Sequence, residues 1–353
     1  MASKIRVLIV DDSAAMRQLL TQILTSDPEI EVVGTAPDPY FAREKIKQLN
    51  PDVLTLDIEM PRMDGLTFLE KLMHGHPMPV VMVSSLTQAG CDVTLRALEL
   101  GAIDFFPKPT LDTLSGVSGG AAQIVEKVKA AARARLQPRV SSARSALLAT
   151  PAGPHGAAAY RLTHQIIAIG ASTGGTEAVK EVMRALPANS PGVLIVLHMP
   201  PGFTASYAQR LDGLSALHVK EAADGDRVLP GHALVAPGSL QMSLVRSGAE
   251  YRVHVGPGPP VNRHCPSVDV LFQSCARHAG KNAVAAILTG MGDDGARGLK
   301  TMRDSGAHTI AQDEASCVVF GMPKEAISCG GAEFVLPLGH IAAKLLALSA
   351  NPV

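Results

Sequence analysis

The chain has no tryptophan, and aromatic residues make up only 3% of its 353 positions. Rings on which unpaired bases could stack are therefore too few for a single-strand platform. Charge of either sign in excess is missing as well: Lys+Arg and Asp+Glu are both 32, for a formal net charge of +0. With no long basic run in an ordered stretch, nucleic acid is excluded as the main partner. Cysteine is sparse, 5 residues scattered without CxxC spacing, which excludes a disulfide framework and fits reduced thiols in the cytoplasm. No apolar run is long enough to cross a bilayer, so direct membrane insertion is not expected. The opening MASKIRVLIVDD goes straight to a charged strand end and carries no signal-peptide pattern. We expect a monomer.

Apolar residues are plentiful, at 46%, and the length points to two domains. In the first, Ile5 to Val10 reads as a strand ending at Asp11-Asp12. Ser13 is placed to cap a helix in which Met16, Leu19, Leu20, Ile23 and Leu24 recur at helical spacing. Strands are then predicted at 32–35, 53–56, 80–83 and 103–106, alternating with helices near 39–49, 65–73, 92–100 and 121–136. This alternation predicts a doubly wound parallel sheet, with chemistry at the carboxyl ends of its strands. Asp11, Asp12 and Asp57 fall at such ends. Three carboxylates at one edge repel one another unless a hard, oxygen-seeking cation such as Mg²⁺ sits among them. One of them is then suited to accept a phosphoryl group covalently, with Lys108 and Ser84 able to contact its oxygens. The alternative makes Asp11 and Asp12 helix-capping acids and Lys108 a solvated surface lysine.

We place the first domain at 1–136, a linker at 137–162 and a second domain at 163–353. The linker is rich in Pro, Ala, Ser and Gly, and reads as a tether carrying Arg139, Arg144 and Arg161. The second domain is predicted to be α/β with a mostly parallel sheet. It opens on IIAIGASTGG, where Gly170 to Gly174 fits the G-x-S-x-G turn that lifts a serine hydroxyl clear of a sheet edge. GVLIVL ends at His198, and the apolar run 283–288 leads into Gly290-Met291-Gly292-Asp293-Asp294-Gly295. Short strands at 233–236, 243–246 and 252–255 suggest hairpins, and helices are expected at 267–278 and 341–348 with a strand at 308–311. Ser172, His198 and one of Asp293 or Asp294 thus stand at the carboxyl ends of three strands. Together they supply nucleophile, base and orienting acid for acyl transfer. Spacing does not choose between the two aspartates. With 12 histidines in the chain, His232, His254, His264 and His308 rival His198, and His264 has polar neighbours suited to a substrate contact. No HxH or HExxH spacing in this half marks a metal site. The order Ser, His, Asp also differs from that of the α/β-hydrolases.

Two resemblances sharpen this reading. Residues 4–110 resemble a response-regulator receiver domain of flavodoxin-like fold, on the acidic pair Asp11 and Asp12, the central Asp57, the hydroxyl of Ser84 and Lys108-Pro109. The resemblance implies phosphorylation at Asp57 and Mg²⁺ bound by Asp11, Asp12, Asp57 and the Glu59 backbone. It also implies a phosphoryl group held by Ser84 and Lys108, and a switch aromatic at Phe105. Residues 165–348 resemble the catalytic domain of the chemotaxis protein-glutamate methylesterases, on GASTGG, VLHMPPGF, ALVAPG, CPSVDVLFQS, LTGMGDDGARGL and AQDEASCVVFGMPKEA. That family implies a cofactor-free hydrolase that removes methyl esters from chemoreceptor glutamates, releasing methanol and acting also on glutamines. Its phosphodonor would be a histidine kinase. It assigns the acid to Asp294 and oxyanion binding to the Met291 backbone NH, and Cys265 stands where an arginine is usual. A phosphorylation-dependent binding module whose glycine loops hold a nucleotide or protein partner is the competing reading.

Overall fold

A computed structural model describes residues 3–109, 120–135 and 165–350. The whole of the tether, with its three arginines, lies outside the described residues. In the first half, β1 (Ile5–Val10), β2 (Ile30–Ala36), β3 (Val53–Asp57), β4 (Val80–Ser84) and β5 (Asp104–Pro107) form a parallel sheet of order β2-β1-β3-β4-β5. Every residue of β3 and β4 is buried, as expected of central strands covered by helices on both faces. The flanking helices start where the sequence supplies a cap. Ser13 Oγ accepts from Met16 N, Asp38 from Tyr40 N and Phe41 N, and Asp64 from Thr67 N.

The second half is built on a seven-stranded sheet of order β14-β13-β12-β6-β7-β9-β8, all of whose pairs are parallel. Its strands are β6 (Ile166–Ala171), β7 (Gly192–Leu197), β8 (His218–Glu221), β9 (His232–Val235), β12 (Ala283–Ile287), β13 (His308–Gln312) and β14 (Phe334–Leu336). β10 (Gln241–Ser247) and β11 (Glu250–Gly256) form a separate antiparallel hairpin. The segment expected to join hairpins near 233 is instead β9, parallel to β7 and β8. Four elements had no clear pattern in the sequence: β8, β14 and the helices Phe203–Asp212 and Met322–Ser328.

One apolar cluster runs through both halves. Phe105, at the end of the first sheet, packs on Phe203 with ring centroids 4.3 Å apart, and both are buried. Burying such a ring contributes roughly 1.5–3 kcal/mol. Beside it the helix Gln88–Glu99 lies on the helices Gly175–Ala185 and Phe203–Asp212. There Glu99 accepts from Arg210 Nε at 3.1 Å and from Lys180 Nζ at 3.3 Å, and Gln88 Nε2 donates to Ser206 Oγ at 2.6 Å.

Candidate active site

Ser172 leaves β6 and turns at once into the helix Gly175–Ala185 through Gly174, whose φ is 76°. A Cβ at Gly174 would stand 2.7 Å from Val318, so both the left-handed backbone and the close packing require glycine. The serine N–H donates to Thr289 O at 3.0 Å, tying the turn to the end of β12. Gly290 lies so close that a Cβ there would meet Ser172 Cβ at 2.7 Å. The backbone of Gly290 and Met291 therefore passes directly beside the serine.

β6 is flanked by β12 on one side and β7 on the other, and this order brings the three candidates together. His198 follows β7, its N–H donating to Ala171 O at 3.3 Å. Its ring Nε2 lies 2.8 Å from Asp294 Oδ2, with the His198 side chain 5% and the Asp294 side chain 1% exposed. Asp294 comes off β12 in a turn that enters the helix Ala296–Asp304 through Gly295 at φ 89°. Its neighbour Asp293 is exposed.

Five donors converge on the Asp294 carboxylate: His198 Nε2, Val268 N at 2.7 Å, Ser267 Oγ at 2.8 Å, Asn262 Nδ2 at 2.9 Å and Asp269 N at 3.4 Å. Burial by itself would raise the Asp294 pKa, but the hydrogen bond and charge of His198, with the hydrogen bonds of Asn262 and Ser267, outweigh it and hold the carboxyl below its ordinary value. An ionised carboxylate accepts only, so Nε2 of His198 carries the hydrogen, and the neutral form of the ring has its lone pair on Nδ1. Nδ1 is buried and has no hydrogen-bond partner among the described residues. This reverses the nitrogens of the familiar Ser-His-Asp template, in which Nε2 faces the serine.

Ser172, His198, His264, Cys265 and Met291 line a cavity of about 380 Å³ whose opposite wall comes from the first half of the chain, including Lys108, Gln123, Glu126 and Lys127. Thr173, next to the serine, donates to Asp104 Oδ2 at 2.6 Å, and Lys127 Nζ holds Asp104 Oδ1 at 2.5 Å. The rival histidines His232, His254 and His308 have other neighbours. His254 pairs with Asp224 at 2.8 Å, His308 with Glu333 at 2.7 Å, and His232 packs near His218. Asn262, Ser267, Thr173 and Asp104 were not singled out from the sequence. Their signal lies within the runs VNRHCPS, GASTGG and AIDFF, but only the folded contacts give them a task.

At the carboxyl edge of the first sheet, carboxylate oxygens of Asp11, Asp12 and Asp57 lie within 4.8 Å of one another. Burial, then the charge of Asp57, push Asp11 up to about 6, while Asp57 is raised by burial against the pull of Lys108. The Lys108 ammonium stands 2.9 and 3.0 Å from the two Asp57 oxygens. Asp11 Oδ2 is buried without a hydrogen-bond partner among the described residues. Ser84 Oγ instead accepts from Thr94 Oγ1 at 2.7 Å and donates towards the Ser85 and Gly90 carbonyls. Phe105 is buried against Phe203, with Lys127 Nζ 5.4 Å from its ring centre.

Residues 167–345 match the family model described as CheB methylesterase, and residues 7–115 that of the response regulator receiver domain. A protein-glutamate methylesterase/protein-glutamine glutaminase of Salmonella choleraesuis is 60% identical over 345 residues, covering 98% of this chain and 97% of its own. Protein-glutamate methylesterase/protein-glutamine glutaminase 2 of Pseudomonas aeruginosa is 58% identical over 347 residues, again covering 98% of this chain and 97% of its own. Among solved structures, the CheB methylesterase catalytic domain of Thermotoga maritima superposes with a TM-score of 0.51 at 41% identity, covering 52% of this chain and 98% of that one.

Proposed function

The chain belongs to the CheB methylesterase family, with a receiver domain ahead of its catalytic domain, and on that premise we propose that Ser172, His198 and Asp294 hydrolyse the γ-methyl esters of chemoreceptor glutamates. Ser172 Oγ attacks the ester carbonyl as its proton passes to His198 Nδ1. Asp294 keeps the imidazole in its tautomer and faces the positive charge that forms. Backbone N–H groups, that of Met291 among them, hold the oxyanion, a contribution worth about 3–4 kcal/mol per donor. Collapse expels methoxide, which takes the proton from His198 and leaves as methanol. Water, activated by the same nitrogen, then splits the acyl-enzyme into glutamate and free serine. A glutamine amide follows the same course with ammonia leaving.

The observation that carries this reading is the buried His198–Asp294 pair at 2.8 Å, beside Ser172 on the neighbouring strand. A binding module has no use for a buried imidazole held in one tautomer. Treatment with a serine-reactive phosphonate should yield one covalent adduct, on Ser172 by mass spectrometry, and stop methanol release from methylated receptor membranes. Full methanol release from protein with no adduct on Ser172 would sink the assignment.

Regulation is part of the same reading. Asp11, Asp12, Asp57 and the Glu59 backbone carbonyl would hold Mg²⁺. The fit is chemical: all the donors are oxygens, and Asp11 keeps a buried oxygen without a hydrogen-bond partner. When bound, the ion neutralises charge on the incoming phosphoryl oxygens. Asp57 takes the phosphoryl group from a histidine kinase, and Lys108, already beside it, exchanges the carboxylate for the phosphoryl oxygens. Ser84 must let go of Thr94 to reach the same group. The receiver walls the Ser172 cavity and grips it through Asp104–Thr173, Phe105–Phe203 and Glu99–Arg210, so the unphosphorylated domain blocks access for a receptor helix. Removing residues 1–136 should raise basal methanol release at least several-fold, and Glu99→Ala should raise it in the full chain. Unchanged or lower release in both would overturn the inhibitory role. Among the described residues no helix is long and apolar enough to cross a membrane, and the five free cysteines fit work in the cytoplasm.

A further inference from the structure

On the first half, the helices Pro39–Leu49 and Gly65–Gly75 face each other across a groove of about 790 Å³. Its floor is apolar, made by the buried Ile46, Phe68 and Leu72. Tyr40 stands at its mouth with Phe41 next to it, 52% and 56% exposed, an uncovered aromatic pair in a chain that has few such rings. The rim is basic: Arg43 and Lys47, one turn apart on the first helix, face Lys71 on the second, and among the described residues no carboxylate lines the groove. Arg62, paired with the cap acid Asp38, lies 5.7 Å from the centre of the Tyr40 ring. Glu44 is 3.7 Å from Lys47 Nζ, but Arg43 and Lys71 have no ion-pair partner among the described residues. No hydrogen bond or ion pair among those residues joins either helix to the second half. The groove therefore stays open while the two halves are docked.

We propose that this groove docks an acidic amphipathic helix of the receptor, one that bears free glutamates and lies apart from the esterified residue held at Ser172. The inference rests on the substrate proposed above. Each wall helix has 11 residues, about 16 Å at a rise of 1.5 Å, so the groove receives roughly three turns of a helix. Apolar side chains of the incoming helix seat on Ile46, Phe68 and Leu72, with Tyr40 as the aromatic anchor. Carboxylates on its two flanks meet Arg43 and Lys47 on one side and Lys71 on the other. Receptor helices supply this chemistry, since every ester that is hydrolysed leaves a carboxylate on the helix. The tether 137–162 does not suit the groove, for it carries three arginines and no carboxylate. A bilayer is too broad to enter a concave floor. Held through this groove, the enzyme stays on its receptor between turnovers, whether or not Asp57 is phosphorylated.

Full-length Arg43→Glu/Lys71→Glu and Tyr40→Ala chains should be compared with the parent for methanol release from methylated receptor membranes. Sedimentation should be measured with those membranes and with receptor-free vesicles of the same lipids. Charge reversal should raise KM at least about 10-fold and abolish salt-sensitive sedimentation with receptor membranes, with kcat within about twofold and the thermal midpoint close to that of the parent. Tyr40→Ala keeps the charges and should raise KM about three- to tenfold. Parent-like KM and sedimentation in the charge-reversed chain overturn the proposal. So does sedimentation with receptor-free vesicles that charge reversal abolishes, which would make the basic rim a lipid contact. A loss confined to kcat overturns it too, because docking acts on KM. Ser172→Ala should sediment like the parent while releasing no methanol. Methanol release by that variant would remove the catalytic reading, while the sedimentation results still judge the groove, so the two failures are distinguishable.

Discussion

Replacing Ser172 with alanine should lower kcat for methanol release by roughly 10⁶-fold, the scale seen when a serine hydrolase loses its nucleophile. The chain should meanwhile stay folded. The turn that carries the serine is held by its backbone, through Ser172 N to Thr289 O at 3.0 Å and Gly175 N to Ser172 O at 2.6 Å, and none of these bonds involves the hydroxyl. The side chain faces a cavity rather than the core, so its loss leaves no buried void. Thermal midpoints of variant and parent should agree within a few degrees. The His198–Asp294 pair stays in place, and the residual rate should exceed that in water by about 10³–10⁴-fold through oxyanion binding alone. Stopped methanol release in a folded variant that still accepts phosphate on Asp57 separates lost chemistry from lost structure. Release near the parent rate would mean that another group attacks the ester.

Much of this was legible because parallel strands announce themselves. Ile166 to Ala171, Val193 to Leu197 and Ala283 to Ile287 are apolar runs buried on both faces, each stopping at a glycine-rich or polar turn where chemistry collects. What the runs do not encode is their order. That β6 lies between β12 and β7 is decided by packing across the whole sheet, and it alone makes Ser172, His198 and Asp294 neighbours. The same limit explains the misplaced segment 232–235: a four-residue strand with one polar end reads alike in a hairpin or at a sheet margin, and β14, three residues long, carries no period at all. The loop of Asn262 and His264 was less legible still, since its two non-glycine left-handed residues are imposed by surrounding contacts. Contacts between the halves, such as Asp104 with Thr173, join residues 69 positions apart and leave no local trace.

Asparagine at Asp294 is nearly the same shape as aspartate, yet it should cost about 10⁴-fold in kcat, comparable to loss of the orienting acid in the Ser-His-Asp template. The reason lies in the donors. Oδ2 accepts from His198 Nε2 and Val268 N; Oδ1 accepts from Ser267, Asn262 and Asp269 N. An amide has one oxygen, so in either orientation its NH₂ points at an N–H group that can only donate, Val268 N on one side or Asn262 Nδ2 and Asp269 N on the other. If it replaces Oδ2 it confronts the Val268 N–H and drives His198 to the other tautomer, protonating the Nδ1 that must receive the serine proton. If it replaces Oδ1 it confronts Asn262 and leaves the imidazolium without a counter-charge. Each donor left unpaired costs about 1–3 kcal/mol, so stability should fall as well as rate. The pH dependence follows from the sign of the shift. Asp294 has its carboxyl depressed from 3.8 to about 2 in the fold, so its contribution is full above pH 3.8 and is lost as pH falls through about 2. The gap in thermal midpoint between parent and Asp294→Asn should therefore be constant from neutral pH to about 4 and narrow between 4 and 2. A gap that does not change with pH, or a variant whose kcat stays within tenfold of the parent, would show that the carboxylate of Asp294 does not orient His198.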